Sequence, residues 1–273
     1  MIEYAVMTFM YRKQINNGEL SHEELVQIIA DAGAKGIEAF HQDFINEPEL
    51  LSRYKTAMAD AGVSMPVIDV MVNLVYADEA ERRERSDALM KGLDVCAELG
   101  TEIAHVAGSR LPEGMAPDEG RQRMADLLAA HADYAAGRGL TLAIEDFDPS
   151  PDLVCRAQDC LDIMMASGDV VKCVFDTGNF QAVGERADEV LDMLYDRICH
   201  CHFKDFAPND SPKGYGGAVF GTGMIPNQAV ASELQRRGYS GWVALESYPQ
   251  GGAGPTETVS TEMASLKKMF GTE

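Results

Sequence analysis

Residues 198–206, ICHCHFKDF, carry two histidines, a lysine and an aspartate where a buried strand ordinarily reads as a near-continuous apolar run. Side chains alternate across a strand, so His200, His202 and Lys204 share one face, and Cys199, Cys201, Phe203 and Asp205 share the other. His202 is the predicted centre of a metal site. Its expected partners are acids that close three short apolar runs: Glu145 in LAIE, Asp176 in CVFD and Glu246 in VALE. Parity groups them. If each acid points inward, Ala143, Val174 and Ala244 accompany them, while Leu142, Ile144, Phe175, Val243 and Leu245 face the other way. Small residues then sit beside the acids and leave room for a ligand. Three carboxylates at one point repel strongly unless a cation neutralises them. Three carboxylate oxygens and one imidazole suit one divalent ion, with Mn²⁺ preferred and Mg²⁺, Co²⁺ or Zn²⁺ also suited.

The elements that must position these residues repeat one unit, a short apolar run followed by a polar loop and an amphipathic helix. Strands are expected over 3–9, Gly36–Phe40, 64–72, 102–107, 141–147, 170–176, 198–206 and 242–248. Helices are expected from a capping box at Ser21 and Glu24 to about Gly33, then over Pro48–Ala61, 81–99, 118–137, 156–166, 185–195, 227–237 and 257–270. Gly62 and Gly100 read as helix stops. Eight alternating strand–helix units predict an α/β fold, a (β/α)8 TIM barrel forming a single domain over 1–273. A doubly wound open sheet is the runner-up, disfavoured because no Gly-rich fingerprint follows the first strand. In a barrel the strand C-termini meet at one rim, which brings the four proposed ligands together. The longest irregular stretch, 207–223, follows strand seven on that rim, and loops of that length often act as lids.

Of the 273 residues, 46% are apolar and 25% charged, an ordinary soluble balance with enough chain for a sizeable core. No apolar run approaches the length of a membrane span, and the N-terminus lacks the basic flank of a signal peptide. The formal charge of -21 argues against a nucleic-acid surface. Six cysteines lying inside apolar patterns suit reduced thiols and a cytoplasmic location. Self-association is left open.

The stretches GIEAF, LAIEDF, FDTGN, HCHFKD and GYSGWVALE carry a resemblance over nearly the whole chain. The sequence resembles the xylose isomerase-like barrel superfamily of sugar phosphate isomerases and epimerases. The resemblance implies one divalent metal held by Glu145, Asp176, His202 and Glu246, and implies that the two glutamates act as acid and base on opposite faces of a bound sugar. The chain departs from that pattern at three places. Asn179 stands where many members have His, Gly221-Thr222-Gly223 stands for Gly-Glu-Gly, and Phe206-Ala207-Pro208 lacks the Arg of ketose 3-epimerases.

The expected chemistry is proton transfer beside a carbonyl through an enediolate, giving isomerisation or epimerisation of a sugar, keto-sugar or sugar phosphate. Glu145 and Glu246 are the expected acid/base pair. Lys204, His41, His105 and Asn179 are the expected substrate-binding residues, with Lys204 equally readable as an acid-paired rim lysine and His105 as a core histidine. Gln42 accompanies His41 after strand two, Asp69 and Asn73 lie near the end of strand three, and Glu38 and His200 read as residues behind the ligands. The Gly-rich run 251–254 lies where barrels often bind phosphate. Alternatives are a keto-inositol dehydratase-type lyase using the same metal, and a non-catalytic sugar-binding barrel. An apurinic endonuclease is disfavoured by the presence of only six histidines, by Asn179 and by the negative charge.

Overall fold

The computed structural model describes residues 1–248 and 252–272. Its strands are β1 (Ile2–Met7), β2 (Gly36–Phe40), β3 (Ser64–Met71), β4 (Ile103–Ala107), β5 (Thr141–Glu145), β6 (Lys172–Asp176) and β7 (Ile198–Phe203). A short hairpin follows, β8 (Phe206–Pro208) and β9 (Tyr215–Gly217), before the last barrel strand, β10 (Gly241–Leu245). Strands β1 to β7 and β10 close into a parallel barrel in the order β1-β10-β7-β6-β5-β4-β3-β2. The fold is the TIM barrel that the alternating pattern predicts.

Helices α1 (Arg12–Asn16), α2 (His22–Asp31), α3 (His41–Asn46), α4 (Pro48–Ala61), α5 (Glu79–Leu99), α6 (Pro117–Ala136), α7 (Ala157–Ala166), α8 (Ala187–Leu194), α9 (Asn227–Arg236) and α10 (Pro255–Met269) form the outer shell. The capping box at Ser21 and Glu24 starts α2, and Gly62 and Gly100 stop α4 and α5 in left-handed conformation, as their sequence signals predict. The short helices α1 and α3 and the β8–β9 hairpin have no periodic apolar pattern long enough to announce them.

Strand parity separates two interiors. Leu142, Ile144, Phe175, Phe203, Val243 and Leu245 belong to the large apolar layer between barrel and helices. Val67, Ile103, Ala143 and Val174 pack in the lower barrel, and Ala5, Met7 and Ala244 form a second small cluster. Above them the inward positions become polar. Gly36 permits the Trp242 ring to cross close by, since a Cβ there would stand 2.7 Å from the ring and 2.9 Å from the Ala5 methyl.

Several strands end earlier than their apolar runs suggest. Strand β5 stops at Glu145, because Asp146 turns its Oδ1 to accept the Asp176 backbone N–H at 2.9 Å. Strand β7 stops at Phe203, and beyond it Asp205 gathers the following loop. Its Oδ2 accepts the amides of Gly221 and Gly223, and its Oδ1 those of Phe206 and Ile225. From the other side Glu262 of α10 accepts the Phe220 amide at 3.1 Å. Both carboxylates are buried. The expected lid is therefore an anchored loop carrying a hairpin.

Candidate metal centre and substrate cavity

Register places the four expected ligands at one height. Asp176 and Ala244 both pair with His202, Glu145 ends β5, and Glu246 follows β10 with its amide on the Phe203 carbonyl. One ligand atom from each of Glu145, Asp176, His202 and Glu246 lies within 4.8 Å of every other. All four residues are buried.

Glu38 organises the histidines beneath this group. Its Oε1 accepts the His202 Nε2–H at 2.9 Å, and His200 Nε2 lies 2.9 Å from its Oε2. With Nε2–H committed to Glu38, His202 turns Nδ1 toward the acids, at 2.7 Å from Glu145, 3.5 Å from Glu246 and 3.8 Å from Asp176. A carboxylate behind a ligating imidazole fixes its tautomer and orientation. Next to this assembly, His105 Nδ1 donates to Asp69 Oδ1 at 2.6 Å, and His105 Nε2 has no hydrogen-bond partner.

The electrostatics call for a cation. Burial pushes the Asp176 carboxyl well above the usual range; Lys204 opposes this, while Glu246 and Glu145 reinforce it. Burial also pushes Glu145 upward, but the His202 hydrogen bond and the charges of His105, His202 and Lys204 outweigh it and hold the group at about 2. Burial and the Glu38 charge raise Asp69 to about 8. For His105, burial favours the neutral ring, but hydrogen bonds to Asp69 and Glu38 overcome it and raise the group to about 10. Asp176 Oδ2 is buried, with the Lys204 ammonium 2.9 Å away as its ion-pair partner. Three carboxylates and one imidazole nitrogen gathered at one buried point fit a divalent ion of the oxygen- and nitrogen-loving type.

Above the ligands opens a cavity of about 420 Å³. Glu145, Glu246, Lys204, His105 and Asn179 all line it. The Lys204 ammonium spans Asp176 Oδ2 and Glu246 Oε2, at 2.9 and 2.8 Å. Asn179 presents a buried Oδ1 without a donor, while its backbone N–H donates to Asp176 Oδ1.

His41 is not brought to this group, contrary to the sequence expectation. It is buried at the start of α3, where its Nδ1 accepts the Met71 amide, and a Cβ at Gly92 of α5 would lie 3.3 Å from its ring. Gln42 donates to the Met71 carbonyl, and Asn73 accepts the Val75 and Arg110 amides, so both tie loops together. Of the Gly-rich run, Gly251 lies outside the described residues, and Gly254 is the N-cap of α10. Sequence reasoning missed the walls of the cavity, Phe9, Phe40, Phe147 and Tyr248, together with Arg110 and Asp148 at its mouth. Parity offered a signal for the walls, since Phe40 and Phe147 each stand two residues beyond an inward acid.

A closed parallel barrel with an acid–imidazole cluster at its C-terminal rim defines a class, and the comparisons specify it. Residues 26–269 match the family model described as xylose isomerase-like TIM barrel, and the chain belongs to that family. It is 26% identical over 200 residues to the putative L-ribulose-5-phosphate 3-epimerase SgbU of Escherichia coli (strain K12), covering 71% of this chain and 70% of that protein. Among solved structures it is similar to a D-psicose 3-epimerase crystallised in the presence of D-fructose, with a TM-score of 0.78, 16% identity and coverage of 98% and 99% of the two chains. It is also similar to the IOLI protein with a bound zinc atom, with a TM-score of 0.76, 19% identity and coverage of 98% and 96%.

Proposed function

We propose that the protein is a divalent-metal-dependent epimerase or isomerase of a sugar, keto-sugar or sugar phosphate. The observation that carries this reading is the convergence of Glu145, Asp176, His202 and Glu246 on one buried point, with Glu145 and Glu246 also lining the cavity. These four residues would hold one ion, with Mn²⁺ preferred for a set of three oxygens and one nitrogen. When bound, such an ion stabilises negative charge on the oxygens of a carbonyl and its neighbouring hydroxyl, which makes the C–H between them acidic.

The rest falls to the chain's own groups. Glu145 and Glu246 face the same cavity from separated strands, so one carboxylate removes the proton and the other returns it. Return to the opposite face of the same carbon inverts it; return to the neighbouring carbon interconverts aldose and ketose. Lys204 places a positive charge beside Glu246, and His105 and Asn179 offer a free ring nitrogen and a free amide oxygen to sugar hydroxyls. The free thiols at all six cysteines support the cytoplasmic reading.

A second reading, a lyase, draws on one feature. His105, held by Asp69 through Nδ1, lines the cavity with its Nε2 3.8 Å from Glu145 Oε2, and its protonated ring suits protonation of a departing hydroxyl. An NMR screen of ketoses and keto-inositols with Mn²⁺ in deuterated water tests both. Exchange of the proton next to the carbonyl with retention of all oxygens supports the epimerase or isomerase, and loss of water supports the lyase. No exchange and no turnover in protein that holds its ion leaves a sugar-binding barrel.

A further inference from the structure

Resting on that reading, we infer that Tyr11, Ser247 and Glu262 are positioning residues, a buried hydrogen-bonded chain that fixes where Glu246 presents its carboxylate. The ladder of β10 ends at Leu245, so Glu246 stands one residue beyond regular pairing, with its amide on the Phe203 carbonyl at 2.9 Å. Ser247 comes next. It turns its hydroxyl to the helical shell and donates to Glu262 Oε2 of α10 at 2.6 Å. The Tyr11 hydroxyl, from the segment after β1, donates to the same Ser247 oxygen at 3.1 Å.

The donors run one way. Tyr11 donates to Ser247, Ser247 donates to Glu262, and the Phe220 amide donates to the second Glu262 oxygen, so both carboxylate oxygens have a donor. The 2.6 Å contact has the length of a charge-assisted O–H···O⁻ bond, about twice as strong as a neutral one. Tyr11 and Ser247 have no exposed surface, and Glu262 is 1% exposed. In so dry a place the bonds of a satisfied chain reinforce one another and hold one geometry.

What the chain joins is the segments that build the site. Tyr11 lies two residues after Phe9, and Ser247 lies between Glu246 and Tyr248; Phe9, Glu246 and Tyr248 all line the cavity. None of the three chain members is among the lining residues, so they act through Glu246 and not on the substrate. Proton transfer tolerates misplacement poorly, and an error of about 1 Å costs roughly 10²-fold. A residue just past the end of a strand needs such a tie to hold its carboxylate to that tolerance.

Two measurements test the inference: Mn²⁺ titration followed by electron paramagnetic resonance, and proton exchange of L-ribulose and D-fructose at saturating Mn²⁺. Ser247→Ala should raise the Mn²⁺ Kd and lower kcat for exchange by about tenfold each, with KM unchanged. Tyr11→Phe keeps the ring and the Ser247–Glu262 bond, so it should shift both in the same direction by less. Glu262→Gln keeps an acceptor for the Phe220 amide but turns an N–H toward Ser247, and that longer bond, about 2.9 Å, should shift both as well. Thr101→Val is the control. It removes an equally buried bond, from Thr101 to the Met65 carbonyl at 3.0 Å before β4, and should lower the melting temperature alone. Wild-type Mn²⁺ affinity and kcat in Ser247→Ala and Tyr11→Phe overturn the inference, as do equal losses in Thr101→Val. If Ser247→Ala does not fold, Tyr11→Phe and Glu262→Gln decide by the same readouts. Exchange absent from wild-type protein that binds Mn²⁺ counts against the epimerase reading alone, and the Mn²⁺ affinities then decide the positioning role; no Mn²⁺ binding by the wild type overturns both.

Discussion

The ammonium of Lys204 lies 2.8 Å from Glu246 Oε2 and 2.9 Å from Asp176 Oδ2, so one buried cation already serves two of the three acids that, with His202, are proposed to hold the metal. Lys204 lies two residues after His202, just past the end of β7. Replacing the lysine leaves two acids in low dielectric without their partner. Removing one member of a buried ion pair typically costs about 3–5 kcal/mol. Lys204→Met should therefore melt well below the wild type in chelator, and added Mn²⁺ should recover more stability in the variant than in the wild type. Equal melting temperatures in chelator would show that the pair contributes nothing to the fold.

The hydrogen bond from His202 Nε2 to Glu38 leads to a pair of metal-binding predictions. Purified protein should carry about one divalent ion per chain, and His202→Ala should lose it. Glu38→Gln keeps the shape but weakens the hold on the imidazole, so metal affinity should fall by roughly 10–100-fold. Elemental analysis and competition titration with a chelating dye measure both. Full metal retention in His202→Ala would refute the ligand assignment.

If Glu246 is half of the acid/base pair, Glu246→Gln should slow exchange of the substrate proton beside the carbonyl by about 10²–10⁴-fold at saturating Mn²⁺. Glu145→Gln should slow it comparably. Unchanged exchange in either variant removes that residue's role as base or acid.

A pH prediction concerns the anchored loop. Burial pushes the Glu262 carboxyl up; hydrogen bonds from Ser247 and the Phe220 amide oppose this without cancelling it. An acid whose folded-state pKa stands above its unfolded value binds its proton more tightly when folded. Its contribution is therefore fully present below the ordinary value of 4.5 and is lost as pH climbs through the folded value. Glu262→Gln keeps a carbonyl for the Phe220 amide and removes the charge. The variant should lose this part of the pH dependence and melt higher than the wild type at neutral pH. A lower melting point at neutral pH would mean that the ionised form is the one the loop requires.

Particular residues show how far the sequence reached. The convergence of Glu145, Asp176, His202 and Glu246 was legible because each ends or interrupts an apolar strand run, and strand parity is a local property that neighbours cannot change. The barrel was legible for the same reason, since eight alternating units have few ways to close. His41 was misplaced because its position after β2 looks like a rim loop, whereas α3 turns it outward beside Gly92 of α5. The loop after β7 resembled a lid because its own composition says nothing of the carboxylates that bind it, one from Asp205 and one from Glu262 far along the chain.

Taken alone, the amino-acid order determined the strand–helix rhythm, the inward and outward faces, and the residues available for metal chemistry, because these depend on periods of two and 3.6 residues. Tertiary structure decided the rest: that Glu38 bridges His200 and His202, that Lys204 lies across Asp176 and Glu246, and that aromatic side chains from β2 and from the segments after β1, β5 and β10 wall one cavity. The Glu38–His202 hydrogen bond alone joins residues 164 positions apart. Closure of the barrel brings them within hydrogen-bonding reach, and no local pattern encodes which partner each will meet.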